Sequence, residues 1–199
     1  MKLLLYCTKA KKQKDLLWSN NLKHFFLDGA YNRLIDNLPD YLLNGKIVAE
    51  CDFEVEEIRI VDDDPLGAYW YETKTLSENE VLEKSCLTSD ELFEYLGEDN
   101  EGYAIHIKNL HIFDKPKELE YCFTEKSYKI IDKIFTDEIM IDGKWYRPVN
   151  KAPQNMMRVK RVLKEDGILI SIRPEWLCKI LNGEKTIEVR KKVLKEMLR

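Results

Sequence analysis

The sequence lacks the features of several protein classes. It has only 8 glycines among 199 residues, while 44% of its residues are hydrophobic and 11% aromatic. A chain of this composition can bury a substantial core and does not resemble a disordered one. No apolar run approaches the ~20 residues that a membrane-spanning helix needs. The length fits one domain of ordinary size or two small ones.

Cysteine is sparse and irregularly spaced. The five cysteines are odd in number, scattered, and never spaced as Cys-x-x-Cys: Cys7, Cys51, Cys86, Cys122 and Cys178. This pattern argues against a zinc site or a disulfide framework, and it is typical of reduced intracellular thiols. The apolar stretch near the N-terminus is too short for the hydrophobic region of a signal peptide. We therefore expect a soluble cytoplasmic protein without a metal or other cofactor.

Charge is distributed unevenly along the chain. The net charge is −4, yet residues 151–199 carry +7 and residues 1–150 carry −11. A folded domain can present such a basic segment as a patch for an anionic partner. The alternative is that its lysines only solvate a terminal segment.

Short strands separated by turn signals dominate the chain. We predict strands at residues 2–8, 46–60 and 103–108, a hairpin around Asp142-Gly143, and two short helices that begin at capping boxes near Ser77 and Thr88. Residues 9–44 show no clear periodicity, and a further helix is predicted around residues 127–135. Without an alternating strand–helix rhythm, the pattern indicates an α+β domain built on a small, mostly antiparallel barrel.

The most informative stretch lies near the C-terminus. Residues 168–172 are apolar and β-prone, which indicates a buried strand, and Pro174 is typical of a helix's first turn. Gly183 suits the left-handed end of that helix. From Thr186 to Arg190 polar and apolar residues alternate, so a second strand should carry Glu188 and Arg190 on one face.

This stretch resembles the signature of ASCH domains, a family with a β-barrel similar to the PUA domain. The family's Gly-x-Lys-x-x-Glu-x-Arg run is complete here as Gly183, Lys185, Glu188 and Arg190. Other stretches resemble short bacterial and phage ASCH proteins, namely LLLYCTK, FFLDGAYN, LNGKIVAECDFEVEEI, CLTSDELFEYLG, GYAIHIKNLHIFDKPKEL and APQNMMRV.

The order of these parts departs from the family. The Gly-x-Lys-x-x-Glu-x-Arg run normally comes first, whereas here it comes last. We interpret residues 1–199 as one circularly permuted domain, with the bulk of the barrel in 1–159, a linker at 160–167 and the motif in 168–192. Termini of compact domains often lie close together, so the rearrangement is physically tolerable. The alternative is a truncated copy followed by the start of a second one.

The resemblance implies RNA or nucleotide binding in a cleft beside the motif. Lys185, Glu188 and Arg190 would supply a cation, a carboxylate and a guanidinium fork to one polar ligand. Arg173 and Lys9 could contact phosphates, and Tyr6 and Trp176 could stack on bases. The alternative is a structural ion pair of Glu188 with Arg190 or Lys185.

Three other functions stay open. Some ASCH-like proteins hydrolyse the acyl amide of N4-acetylcytidine with Lys, Thr and Glu, but Glu188 stands where the nucleophilic Thr belongs, and Thr186 is shifted by two positions. Lys185 and Glu188 are therefore only candidate catalytic residues. A ribonuclease could use histidines for acid–base chemistry, and a phage protein that binds a host protein would leave no distinctive pattern. The histidines are His24, His106 and His111.

Overall fold

The computed structural model describes residues 1–8, 45–62, 69–97, 101–125, 138–161 and 165–198. These residues form ten strands, three α-helices and two short 3-10 helices. In chain order the elements are β1 (Lys2–Cys7), β2 (Ile47–Asp62), β3 (Tyr69–Glu72), α1 (Glu78–Ser85), α2 (Ser89–Leu96), β4 (Gly102–Lys117), a 3-10 helix (Leu119–Tyr121), β5 (Cys122–Glu125), β6 (Ile139–Ile141), β7 (Lys144–Pro148), β8 (Met156–Arg161), β9 (Glu165–Ile172), α3 (Pro174–Leu181), β10 (Ile187–Arg190) and a second 3-10 helix (Lys195–Leu198).

The predicted α+β class is confirmed, but the predicted closed barrel is wrong for the described strands. They follow one hydrogen-bonded order, β10-β4-β2-β1-β9-β8-β5-β7-β6, with β3 added to β2. Because β10 and β6 stand at the two ends of this order, the sheet is open. The pairs β1–β2, β8–β9, β5–β8, β5–β7, β6–β7, β2–β3 and β4–β10 are antiparallel, and β1–β9 is parallel.

The chain divides into two compact units, each made of two segments. Unit 1 comprises Met1–Cys51 and His111–Leu177, and unit 2 comprises Asp52–Leu110 and Cys178–Arg199. Strands β2 and β4 and helix α3 each contribute residues to both units. Each unit has its own apolar cluster, described below.

The core of unit 1 is built around the parallel pair β1 and β9. Leu3 to Cys7 and Gly167 to Ile172 are buried without interruption. Strands covered on both faces carry such continuous apolar runs rather than an alternating pattern. Strand β9 begins at Glu165, whereas the predicted strand began at Ile168. Its first residues pair with the end of β8, where Lys160 is the partner of Asp166 and Arg161 is the partner of Glu165. Residues first interpreted as a linker therefore also contribute to strands.

The core of unit 2 forms between its helices and its strands. The apolar cluster joins α1 and α2 to β2, β3, β4 and β10 through Ile58, Tyr71, Leu76, Val81, Leu92, Leu96, Ala104, Ile187 and Val189. Gly102 lies against this cluster, because a Cβ atom there would stand 2.6 Å from Leu96 Cδ2. Val189 is the register partner of Ala104, so this face of β10 points into the core.

The predicted local signals are largely confirmed. Thr88 Oγ1 accepts from the Glu91 amide at 3.2 Å, and the Glu91 carboxylate accepts from the Thr88 amide at 2.9 Å, which completes a capping box. Asp142 and Gly143 have φ of 50° and 76°, the left-handed pair that a tight hairpin between β6 and β7 requires. Asn109, at φ 48°, interrupts the extended backbone of β4.

The C-terminal motif folds as predicted. Helix α3 begins at Pro174 and ends at Leu181, Gly183 has φ 81°, and β10 spans Ile187–Arg190. The predictions for residues 9–44 and 127–135 fall outside the described residues. Among the helices that the structure describes, none is long and apolar enough to cross a membrane.

Candidate functional site

The strongest electrostatic feature of unit 2 is a chain of three charged side chains. Lys185 Nζ lies 3.4 Å from Glu188 Oε2, and Arg190 Nη2 lies 2.8 Å from Glu188 Oε1. The Glu188 carboxylate therefore stands between an ammonium and a guanidinium. We call Lys185, Glu188 and Arg190 the triad. The sequence predicted that the motif would bring these residues together, and the structure does so.

Burial differs along the triad. The exposed fraction of the side chain is 3% for Lys185, 9% for Glu188 and 13% for Arg190. Buried charges are costly unless they are paired, and here each cation has the same carboxylate as its partner. Exposure rises toward Arg190, so the guanidinium is the member that is most accessible to a ligand.

The position of the triad follows from the backbone of β10. Glu188 and Arg190 are two residues apart, so they lie on one face of the strand. Their register partners on β4 are Ile105 and Tyr103. The opposite face carries Ile187 and Val189, which are anchored in the apolar core. Burial of these apolar residues therefore sets the direction in which the charged pair points.

Lys185 has a further partner that the sequence did not reveal. Its Nζ donates to the carbonyl oxygen of Ser85 at 2.6 Å, across 100 positions of sequence. Ser85 is the last residue of α1, where helical carbonyls lack partners within the helix and carry partial negative charge. The amine thus caps α1 while it pairs with Glu188.

Burial lowers the pKa of Lys185 below its ordinary value. Desolvation is the largest cause, and proximity to Arg190 acts in the same direction. Glu188 opposes the shift through its charge and its hydrogen bond, and Cys86 opposes it more weakly. A buried amine with a lowered pKa is easier to deprotonate than a surface lysine.

The other predicted ligand-binding residues lie elsewhere in the chain. Tyr6 and Arg173 belong to unit 1, whereas the triad belongs to unit 2. Tyr6 is only 4% exposed and packs in the apolar cluster of unit 1, and burial raises the pKa of its phenol. Arg173 is exposed and Trp176 is half-buried. Lys9 lies outside the described residues.

The described histidines each face a different glutamate. In unit 2, His106 Nε2 lies 3.9 Å from Glu56 Oε2, and in unit 1, His111 Nδ1 lies 3.9 Å from Glu50 Oε1. Thr75 Oγ1 donates to Glu56 Oε1 at 2.6 Å. Burial alone would raise the pKa of Glu56, but hydrogen bonds from Thr73 and Thr75 and the charge of His106 together lower it. His24 lies outside the described residues.

Two of the buried thiols are poor candidates for nucleophilic catalysis. Burial raises the pKa of Cys122 to about 12 and the pKa of Cys178 to about 11. A thiol must lose its proton to attack, so these groups are inert near neutral pH.

No protein-family model, curated protein or solved structure matches the chain.

We expect Glu188→Gln to lower the free energy of unfolding by about 3 kcal/mol, because it leaves two largely buried cations without their shared counter-charge. Chemical denaturation measures this change. The control is Glu184→Gln, a neighbouring exposed residue, for which a change within about 0.5 kcal/mol is expected. Equal effects of the two substitutions would show that the triad carries no special electrostatic stabilisation.

The lowered pKa of Lys185 predicts a pH dependence of stability. Between the lowered folded-state pKa and the ordinary value of 10.5, the unfolded chain binds a proton that the folded chain does not. The free energy of unfolding should therefore rise with pH across this window. Urea unfolding of the wild type and Lys185→Met at about pH 8 and about pH 10 isolates the effect. The free energy of unfolding of the wild type minus that of Lys185→Met should be larger at the higher pH. A smaller difference at the higher pH would contradict the lowered pKa.

Proposed function

We propose that the protein binds RNA or a nucleotide through Arg190, whose guanidinium the other two members of the triad hold in place. The observation that carries this proposal is the ion-pair chain itself, with its most exposed member at one end. Arg190 is held 2.8 Å from a carboxylate that is 9% exposed and is itself paired with a lysine that is 3% exposed. The guanidinium is thereby preorganised before any ligand arrives.

Preorganisation matters because binding must offset the entropy of the groups that it orders. A guanidinium offers a planar set of donors that matches phosphate oxygens and base edges, and an ordered one loses less freedom on binding. Arginine is favoured at such sites because its contacts to phosphate are often bidentate. The positive balance of residues 151–199, +7 in total, is consistent with an anionic ligand.

The proposal divides the roles differently from the sequence prediction. Lys185 and Glu188 were expected to line the cleft beside Arg190. Their exposed fractions of 3% and 9% favour a role behind the ligand, in which they orient the guanidinium. Arg173, which is exposed, and Lys9 stay proposed phosphate contacts, whereas the burial of Tyr6 disfavours a stacking role.

The family assignment is part of the same proposal. A complete Gly-x-Lys-x-x-Glu-x-Arg run, carried on a turn and strand after a short helix, supports a circularly permuted ASCH domain related to the PUA fold. The resemblance of several other stretches to bacterial and phage proteins supports the same origin. RNA and nucleotides are the ligands that this assignment implies.

A second candidate is hydrolysis of an acylated pyrimidine nucleoside. One observation favours it: burial lowers the pKa of Lys185, so a larger fraction of its amine is unprotonated near neutral pH and able to act as a base or nucleophile. The hydroxyl nucleophile is the weak point, because Glu188 occupies its motif position. Thr186 is adjacent to Lys185 in the chain, but its side chain is exposed whereas that of Lys185 is buried.

We expect Arg190→Ala to weaken the binding of short single-stranded RNA by about 1–3 kcal/mol, the value of one charge-assisted contact. Titration followed by fluorescence anisotropy at several salt concentrations measures the change. If Arg190 contacts a phosphate, the slope of log K against log salt should become less steep by about one. If it contacts a base edge, affinity should fall without this change in slope.

Arg158→Ala is the matched control, since it removes the same group from an exposed position paired with Asp166. Its effect on affinity should be small. Saturable binding that both substitutions weaken equally would contradict a site at Arg190. Each mixture, and a parallel one with N4-acetylcytidine, is also analysed for products. Turnover that Lys185→Ala abolishes would favour the hydrolase over the binding protein.

A further inference from the structure

The C-terminus of α1 and the turn that precedes β10 are joined in an antiparallel arrangement. The Thr186 amide donates to Lys84 O at 2.9 Å, Lys185 Nζ donates to Ser85 O at 2.6 Å, and Cys86 Sγ contacts Glu184 O at 3.5 Å. Residues 84, 85 and 86 therefore face residues 186, 185 and 184, in that order. We call these two tripeptides, Lys84–Cys86 and Glu184–Thr186, the clamp.

The clamp determines where the Lys185 amine stands. Carbonyl groups in the last turn of a helix lack partners within the helix, so the Ser85 oxygen is a strong acceptor at a defined point. The negative end of the helix dipole favours a cation at that place. Because Nζ is hydrogen-bonded to Ser85 and paired with Glu188, a displacement of α1 would displace the amine and its carboxylate together.

Cys86 has an unusual conformation for a cysteine. It ends α1 in the left-handed region, at φ 56° and ψ 35°, and its amide donates to carbonyls of the last turn. Glycine and asparagine commonly fill this position, because other side chains are strained there. The thiol, however, reaches the Glu184 carbonyl, and glycine would lose that contact. The left-handed backbone of Cys86 therefore costs free energy, while its thiol contacts the turn that carries Lys185.

We infer that the end of α1 is a positioning element for the ligand site. Cys86 contacts Glu184, and the Ser85 carbonyl holds the amine of Lys185. Lys185 in turn pairs with Glu188, which holds the guanidinium of Arg190. The inference rests on the proposed function and deepens it. Cys86 is a positioning residue that contacts the turn and not the ligand. Its thiol should influence the environment of the Lys185 amine and the affinity at Arg190 without supporting the stability of the fold.

The test uses Cys86→Gly and Cys86→Ser in the full chain. Glycine relieves the left-handed conformation, so the variant should be at least as stable as the wild type. It loses the contact to Glu184, so RNA affinity should fall by about 3- to 10-fold, a range typical of one modest hydrogen bond. Serine retains a donor and should restore most of the affinity. A general loss of structure would lower stability and affinity together.

Asp142→Gly is the matched control. Asp142 is also a left-handed non-glycine residue, at φ 50°, but it lies in the β6–β7 turn of unit 1. This substitution should change stability in the same direction as Cys86→Gly and leave RNA affinity unchanged. If Cys86→Gly keeps or raises stability but lowers RNA affinity, and Asp142→Gly leaves affinity unchanged, the loss of affinity comes from the lost contact to Glu184. Relief of a left-handed conformation does not explain it.

The NMR signal of the Lys185 side-chain amine, assigned by its loss in Lys185→Arg, decides the inference independently of RNA. The signal should shift in Cys86→Gly, return toward the wild-type position in Cys86→Ser, and stay in place in Asp142→Gly. An unchanged Lys185 signal in Cys86→Gly overturns the inference. If the signal shifts but the wild type binds no RNA, the positioning of Lys185 is upheld and the proposed function is the part that fails.

Discussion

The triad depends on one buried carboxylate. Glu188 stands between Lys185 and Arg190, and its side chain is 9% exposed. An unpaired carboxylate at this depth would be strongly destabilised, and each cation would be destabilised without it. The three groups must therefore be placed together, and the elements that carry them are arranged to satisfy that requirement. Because a buried charge is costly unless it is paired, the three side chains are held in one ordered arrangement.

The surrounding fold supplies this placement from two directions. The apolar face of β10 is anchored by Ile187 and Val189 in the core of unit 2, so the charged face has a set direction. The end of α1 supplies the Ser85 carbonyl that holds the lysine amine. Both supports determine where the guanidinium of Arg190 is presented, which is the property that the proposed function requires.

Local patterns predicted the parts of this arrangement that depend on nearby residues. The alternation from Thr186 to Arg190 predicted that Glu188 and Arg190 share a face, and Pro174 and Gly183 marked the ends of α3. The capping box at Thr88 and the Asp142-Gly143 turn were likewise visible, because each involves residues within a few positions of one another. The predicted strand β9 was too short at its N-terminal end. Glu165 and Asp166 are charged and pair with β8, so the apolar pattern did not extend to them.

Contacts that depend on distant residues could not be read from the sequence. The Ser85 carbonyl is a backbone group 100 positions from Lys185, so no side-chain pattern reveals it. The burial of Tyr6 follows from the packing of distant strands, as does the open strand order that replaced the expected barrel. Lys185 was expected to offer a cation to a ligand in the cleft, and only its burial against α1 shows why its pKa is lowered.

The most direct measurement of the central claim is the NMR signal of the Arg190 side-chain Nε–H group during a titration with short single-stranded RNA. A ligand site at Arg190 predicts a saturable shift of that signal, while the signal of Arg158, an exposed arginine paired with Asp166, stays in place. An Arg190 signal that does not move as RNA binds, or equal shifts of both arginines, would contradict a preorganised ligand site at the end of the triad.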